Sequence, residues 1–131
     1  MRTSAVPLEE DEQIAFVEWL TINHIPHFHC PNEVGGQTRS LRVRAVKMKR
    51  MGVSKGVPDL FIFIPVYGTT DEVDCYQMCA IEMKKKKGST TSKEQKEWLS
   101  VLELSGIPCA VCKGADEAIA FVEEIRKEIN D

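Results

Sequence analysis

Apolar side chains recur at helical spacing early in the chain, beneath a cluster of acids. The apolar positions are Ile14, Val17 and Leu20, with Phe16 and Trp19 beside them. This spacing predicts a first helix over residues 8–22, because the positive end of a helix dipole favours acids in the first turn. Two prolines and a Gly-Gly pair then interrupt the pattern, which predicts a short extended segment followed by a loop.

A second helical pattern begins at Ser40 and carries many basic residues. The run LRVRAVKMKRMG places Leu41, Ala45 and Met48 on one side of a helix, with Gly52 as its end. The arginines of this predicted helix then face outward.

Strand-like and helical patterns alternate in the rest of the chain. Apolar runs at residues 60–66, 75–84 and 108–113 have the length of buried strands. Residues 92–104 and the segment from Gly114 onward have helical periodicity, and a Ser and a Gln at capping-box spacing begin the first of these helices. The order predicts an α/β fold with a small mixed β-sheet flanked by helices.

The second strand-like run alternates in a way that groups its charged residues. Ala80, Glu82 and Lys84 point to one face, and Ile81 and Met83 point to the other. The carboxylate and the amine therefore share a face at the end of an otherwise apolar strand, where packing alone would not select them.

Length and composition limit the class of protein. The 131 residues are 43% hydrophobic, which fits one globular domain at residues 8–131 after a flexible N-terminus at residues 1–7. No apolar run approaches the ~20 residues that cross a bilayer, and the start of the chain turns acidic where a signal peptide would be apolar. We therefore expect a cytoplasmic protein without a membrane partner.

Two groups of residues have some resemblance to zinc ligands. Cys109 and Cys112 have the spacing of a zinc knuckle or a redox pair, but a second pair is missing and the run around them is apolar. Buried core cysteines are the favoured interpretation, and the odd total of five cysteines fits reduced thiols. Three histidines and Cys30 crowd residues 24–30, but they lack a well-spaced partner.

The net charge of -3 conceals a segregated charge distribution. Residues 39–55 contain arginines and lysines without a single acid, and residues 84–87 are all lysines, whereas acids gather near both ends of the chain. Phosphates respond to such local positive fields whatever the sum of charges, so nucleic acid is a candidate partner. A solvated basic face is the alternative for each segment.

Two carboxylates are predicted to meet if the first two long strands pair. Asp59 lies just before the first residue of one predicted strand, and Glu82 lies near the end of the next. Neighbouring carboxylates repel each other unless a cation lies between them, and magnesium prefers such oxygen ligands. Lys84 could then orient or deprotonate a metal-bound water. The alternative is that Asp59 caps a turn and Glu82 pairs with Lys84 on a solvated edge.

These residues fall in two motifs that are similar to a known nuclease signature. Gly56-Val57-Pro58-Asp59 followed by Ile81-Glu82-Met83-Lys84 resembles the PD-(D/E)XK signature, and the wider pattern resembles its VRR-Nuc branch. Further matches are Lys49 to Gly52, the run HCPNE at residues 29–33, Ser92 to Gln95, and Gly114 to Ala118. The resemblance extends from about residue 9 to residue 121 and implies a restriction-endonuclease-like core.

The resemblance implies hydrolysis of DNA phosphodiester bonds with Mg²⁺, for which Mn²⁺ substitutes. It assigns Asp59, Glu82 and the main-chain carbonyl of Met83 as metal ligands. It also assigns Lys84 as the catalytic lysine and Gln95 as a polar active-site residue.

A glutamate of the first helix also belongs to the pattern that the chain resembles. Glu9, Glu10 and Glu12 all lie near Gln13. We favour Glu9 as a metal ligand because it shares a helix face with Gln13 at i, i+4 spacing. For the other two, the expected role is that of an acid at the N-terminal end of the helix dipole.

The two basic segments are predicted to contact the DNA. We predict that one set of side chains holds the phosphates, namely Arg42, Arg44, Lys47 and Lys55. Lys85 and Lys86, with Lys87, are expected to flank the cleavage site, and a solvated loop is the equal alternative for them.

Stand-alone phage or bacterial members of this branch resemble dimeric resolvases of four-way DNA junctions. We therefore expect a Mg-dependent, structure-selective endodeoxyribonuclease with Holliday-junction-resolvase-like activity on branched duplex DNA, acting as a homodimer. The first alternative is a flap-directed, end-directed or non-specific DNA nuclease. An alternative of another class is a catalytically silent DNA-binding module on a nuclease fold.

Overall fold

The computed structural model describes residues 6–31 and 38–131. Its elements, in chain order, are α1 (Glu9–Ile22), β1 (His27–His29), α2 (Arg39–Arg50), β2 (Leu60–Tyr67), β3 (Val73–Lys84), α3 (Lys93–Leu104), β4 (Cys109–Lys113) and α4 (Ala115–Asn130). This order confirms the predicted α/β fold, and the short extended segment becomes the edge strand β1. Residues 1–5 of the predicted N-terminal tail and residues 32–33 of the HCPNE run lie outside the described residues.

The sheet places the two predicted carboxylates opposite each other. Within the described residues it contains four strands in the order β1-β2-β3-β4, with β3 and β4 parallel and the other pairs antiparallel. Leu60 of β2 is paired with Ile81 of β3. The preceding position, Asp59, is therefore opposite Glu82, as expected from the pairing of neighbouring strands.

Helices cover the sheet on both faces, which confirms the predicted layers. The larger core lies between the sheet and the helices α1 and α4, and its buried side chains include Phe16, Leu20, Ile62, Ile81, Met83 and Val122. On the opposite face, Leu102 of α3 packs with Phe61 and Ala80. The alternation predicted for β3 is thus confirmed, because Ile81 and Met83 face one core and Ala80 faces the other.

The buried face of α1 differs from the predicted one. Ile14 is 56% exposed, so its assignment to the apolar side is wrong, whereas Phe16 and Leu20 are fully buried. Glu12 lies one turn before Phe16 on the same side and is only 9% exposed. The larger Phe16 and Leu20 side chains determine which face packs, and Glu12 is buried with them because its carboxylate has a partner across the fold.

The basic helix α2 stands apart from the core. The Thr38 hydroxyl accepts a hydrogen bond from Leu41 N, and Gly52 adopts a φ of +105° beyond the last turn, as its predicted place at the helix end requires. The helix has no buried residue. Leu41 is exposed, so its predicted packing side is only partly correct, while Ala45 and Met48 are half-buried.

The end of α3 and the strand β4 differ in burial. Leu104, the last residue of α3, is 88% exposed. Cys109 and Cys112 face different cores of the sheet, because three residues along a strand lie on opposite faces. Cys112 is 2% exposed and Cys109 is partly buried, which agrees with their interpretation as core cysteines. Burial raises the pKa of the Cys112 thiol to about 12.

No helix in the described part of the chain is long and apolar enough to cross a membrane.

Candidate metal centre

Three carboxylates from three separate elements meet at one end of the sheet. Glu9 begins α1, Asp59 precedes β2 and Glu82 lies near the end of β3. One carboxylate oxygen of each lies within 4.8 Å of the other two. Such an arrangement of oxygen donors can hold a divalent cation.

Hydrogen bonds hold Asp59 at both its side chain and its main chain. The amide N–H of Met83 donates to Asp59 Oδ2 at 2.7 Å. The main-chain oxygen of Asp59 accepts from Cys30 N at 2.7 Å and from His29 Nδ1 at 2.8 Å. The carboxylate is thus fixed relative to β3, and its backbone is fixed relative to β1.

Glu82 has one satisfied oxygen and one orphaned oxygen. Its Oε2 accepts a hydrogen bond from Gln95 Nε2 at 3.0 Å and lies 3.7 Å from Lys84 Nζ. Its Oε1 is buried and has no hydrogen-bond partner among the described residues. A buried carboxylate oxygen without a partner is costly, so the donor set fits a cation that would complete the coordination of this oxygen.

The electrostatics of Glu82 support the same conclusion. Burial, and next the negative charge of Asp59, raise the pKa of Glu82 to about 8, while Lys84 opposes this shift. A nearby divalent charge reverses that balance and favours the ionised carboxylates. Because all three side-chain donors are carboxylates, the chemistry fits Mg²⁺ or Mn²⁺ better than Zn²⁺.

Gln95 is oriented toward Glu82 by the start of α3. Its side-chain oxygen accepts from Ser92 N at 2.9 Å, and its main-chain N–H donates to Ser92 Oγ at 3.1 Å. This reciprocal pair is the predicted capping box. With the amide oxygen engaged in the cap, the amide nitrogen is left to donate to Glu82.

Gly56 allows the loop that carries Asp59 to lie directly against α3. It adopts a φ of +88°, and a Cβ there would lie only 2.6 Å from the main-chain carbon of Glu94 and 2.8 Å from Gln95 N. A side chain at this position would therefore separate the Asp59 loop from the helix that carries Gln95. The glycine of the first motif thus has a steric role in the site.

The fold distinguishes among the three glutamates of α1. It brings Glu9, the predicted one, to Asp59 and Glu82. Glu12 Oε2 instead accepts a hydrogen bond from Ala115 N at 3.2 Å, which anchors α1 to the start of α4. A Cβ at Gly114 would collide with this same oxygen. Glu10 is exposed and lines the same cleft, but it does not belong to the group of three carboxylates.

His29 and Gln13 are functional candidates that our sequence interpretation did not assign to the site. The His29 Nδ1 atom lies 2.8 Å from the Asp59 carbonyl oxygen and 3.2 Å from Gln13 Nε2. Together with the three carboxylates they line a cleft of about 740 Å³. The only sequence signals were the HCPNE match and the i, i+4 spacing of Glu9 and Gln13.

The remaining predicted residues lie around this centre rather than within it. The side chain of Met83 is buried in the core, and the proposed role of its carbonyl stays a prediction. The predicted phosphate contacts are exposed on α2 or in loops: Arg42, Arg44, Lys47, Lys55, Lys85 and Lys86. Of these, Lys86 has its aliphatic stem close to Gly114 at the start of α4.

A mixed sheet with an acidic centre between α1 and α3 defines a nuclease-type α/β domain, and comparison with known proteins agrees. The sequence model of the VRR-NUC domain matches residues 9–116. A solved structure described as a VRR_NUC domain protein superposes with a TM-score of 0.70 at 27% identity, covering 96% of this chain and 93% of that one. No curated protein matches the sequence significantly. The chain belongs to the VRR-NUC domain family, which fits the PD-(D/E)XK superfamily.

Proposed function

We propose that this domain is a Mg²⁺-dependent, structure-selective DNA endonuclease. The observation that carries the proposal is the meeting of Glu9, Asp59 and Glu82 within 4.8 Å, beside a buried Glu82 oxygen that lacks a partner among the described residues. Family membership supports a nuclease-type fold and DNA as the substrate. The metal, the endonucleolytic mode and the DNA structure are our proposals.

The carboxylates of the centre have one common role in phosphodiester hydrolysis, that of metal ligands. Glu9, Asp59 and Glu82, with the Met83 carbonyl, would hold Mg²⁺ or Mn²⁺. When bound, the metal supplies charge neutralisation at the scissile phosphate and a water of lowered pKa.

The neighbouring side chains prepare this reaction. Lys84 is largely buried on the same strand face as Glu82, with Nζ 3.7 Å from the carboxylate. There it can orient the attacking water and offset charge on the phosphate. Gln95 keeps Glu82 in one rotamer through its 3.0 Å hydrogen bond.

The exposed basic residues support duplex DNA as the substrate. Arg42, Arg44 and Lys47 on α2, with Lys55 before the Asp59 motif, are proposed to contact phosphates. Lys85 and Lys86 follow directly after the catalytic strand and are proposed to flank the scissile bond.

Branched DNA, a homodimer and a cytoplasmic location complete the proposal. The support for the first two is the resemblance to dimeric junction resolvases, in which two-fold symmetry presents two centres to opposing strands. The support for the location is the odd number of cysteines, which fits reduced thiols. A monomer in solution that cleaves flaps better than four-way junctions would favour the flap-directed alternative.

Cleavage of a labelled four-way junction tests the mechanism directly. With Mg²⁺ we expect cleavage that EDTA abolishes. Lys84→Ala should lower the rate by about 10²- to 10⁴-fold, because general acid–base assistance has that magnitude. Asp59→Asn should lower it at least as much, because it removes a charged metal ligand. Lys127→Ala, an exposed lysine of α4, is the matched control and should retain the rate. Activity in EDTA, or full activity in both variants, would refute the mechanism.

A further inference from the structure

A second cleft, of about 630 Å³, lies between α3 and the segment that joins α2 to β2. Trp98 and Val101 of α3 form one wall. The opposite side is formed by Lys49 at the end of α2 and by Val53, Ser54 and Lys55. The cleft therefore combines an aromatic ring, aliphatic surface and two cations.

The indole of Trp98 has a fixed position in this cleft. Its Nε1–H donates to the Ser54 hydroxyl oxygen at 3.1 Å, across 44 positions in the sequence. Trp98 is half-buried, and its aliphatic neighbours Val53 and Val101 are exposed. The hydrogen bond holds the ring in one orientation, so it can serve as a stacking surface at little entropic cost.

The charges around the cleft favour an anionic ligand on one side. Lys49 and Lys55 are exposed and belong to a segment that contains no acid. Two acids also belong to the lining: Glu97 is paired with Lys93 at 3.9 Å, and Glu94 has its Cβ beside Gly56. The two lysines therefore provide charge for phosphates beside an apolar wall.

The cleft lies beside the candidate metal centre, because neighbouring residues of α3, Glu94 and Gln95, line the one and the other. Trp98 follows Gln95 by one turn of α3, a rise of about 4.5 Å, and Gln95 touches Glu82. On the other wall, Lys55 directly precedes Gly56, which packs against the start of α3. A DNA strand held at the carboxylates would thus pass close to the cleft.

We propose that this cleft binds an unpaired base of the DNA substrate, stacked on Trp98, with its flanking phosphates at Lys49 and Lys55. A base is flat and uncharged, and stacking on an aromatic side chain accepts any base. A base within a duplex is already stacked and paired, so the site favours branched DNA with unpaired nucleotides near the cleavage position, such as a flap or a junction whose central base pairs have opened. This inference rests on the proposed function and names the substrate feature that the site recognises.

Tryptophan fluorescence can report on this cleft, because the chain contains only two tryptophans. The other one, Trp19, is partly buried and stacked on Phe16 on the other side of the sheet. In the Trp19→Phe variant, Trp98 is the sole emitter. The variant is titrated in EDTA with a fluorescently silent (dT)20 strand and with a blunt duplex, while anisotropy of labelled copies gives each affinity independently.

We expect (dT)20 to quench Trp98 emission and the blunt duplex to leave it nearly unchanged. Trp98→Ala should weaken the affinity for (dT)20 by between about 5-fold and 150-fold, the range for losing one stacked base, with less than about a two-fold effect on the duplex. Trp98→Phe, which tests stacking with less risk to folding, should lose less. Leu104→Ala, an exposed apolar residue of the same helix, should lose nothing.

Binding of (dT)20 without any change in Trp98 emission would overturn this inference alone. Equal losses for (dT)20 and duplex in Trp98→Phe would also overturn it, because they would indicate a structural role. Absence of binding to any DNA would overturn both this inference and the proposed function.

Discussion

The carboxylate centre and the basic helix α2 are built in opposite ways. Asp59 and Glu82 are buried and held by short hydrogen bonds from β1, β3 and α3. Helix α2 has no buried residue, and its arginines project from a helix that is joined to the body mainly through half-buried Ala45 and Met48.

This difference shows which property each region requires. The centre must place oxygen atoms to within a fraction of an ångström, because metal ligation and in-line attack depend on geometry. Phosphate binding by α2 depends on charge density and tolerates small displacements, because screened Coulomb forces change slowly with distance. The function of the carboxylate centre therefore depends on how its residues are packed, whereas that of α2 depends on how many basic residues it carries.

Substitutions that conserve charge should give the largest difference in cleavage rate between the carboxylate centre and α2. Lys84→Arg keeps the charge but places a planar, bulkier group in the space beside Glu82, so we expect cleavage to fall by about 10²- to 10⁴-fold. Arg42→Lys with Arg44→Lys keeps the charge on an exposed helix and should change cleavage less than about two-fold. Initial rates on a labelled junction at saturating Mg²⁺ measure both, and similar losses for the two variants would contradict the comparison.

Replacement of two different glycines by alanine should have unequal effects on stability and on the cleavage rate. Gly52 and Gly56 both have positive φ, but a Cβ at Gly52 meets nothing within 4 Å, whereas a Cβ at Gly56 meets the backbone of α3. Gly52→Ala should lower the free energy of unfolding by about 1–2 kcal/mol from backbone strain alone. Gly56→Ala should cost about 1–3 kcal/mol more and slow cleavage by about 10²-fold, because Gln95 moves relative to Asp59.

Urea unfolding and cleavage rates measured on the same preparations check this glycine pair. If Gly56→Ala were no worse than Gly52→Ala in either measurement, the close approach of the Asp59 loop to α3 would not matter for function.

The smallest expected effect concerns the salt dependence of DNA binding. Replacing Arg42 and Arg44 by alanine should lower the slope of log affinity against log salt by roughly 1.8, because each lost phosphate contact removes about 0.9. The affinity itself should fall several-fold at moderate salt. Anisotropy with catalytically impaired Asp59→Asn protein between low and moderate salt measures the slope. An unchanged slope would show that these arginines do not face DNA.

Local patterns were sufficient for much of the fold. The alternation in β3 correctly predicted that Glu82 and Lys84 share a face, because a strand places every second residue on the same side. The capping box at Ser92 correctly predicted the start of α3. The same type of argument failed for Ile14, because helical spacing does not indicate which of two apolar faces packs more completely.

The sequence by itself determined the order of the elements, the segregation of basic residues and the two strands that carry Asp59 and Glu82. These features depend on periodicities of a few residues. Only the tertiary structure decided that Glu9 rather than Glu12 approaches them, since Glu12 is held by Ala115, 103 positions away. It also decided that His29 supports the Asp59 main chain and that Trp98 lines a cleft beside the centre. Contacts between residues so distant in sequence depend on how helices pack on the sheet, which no local pattern encodes.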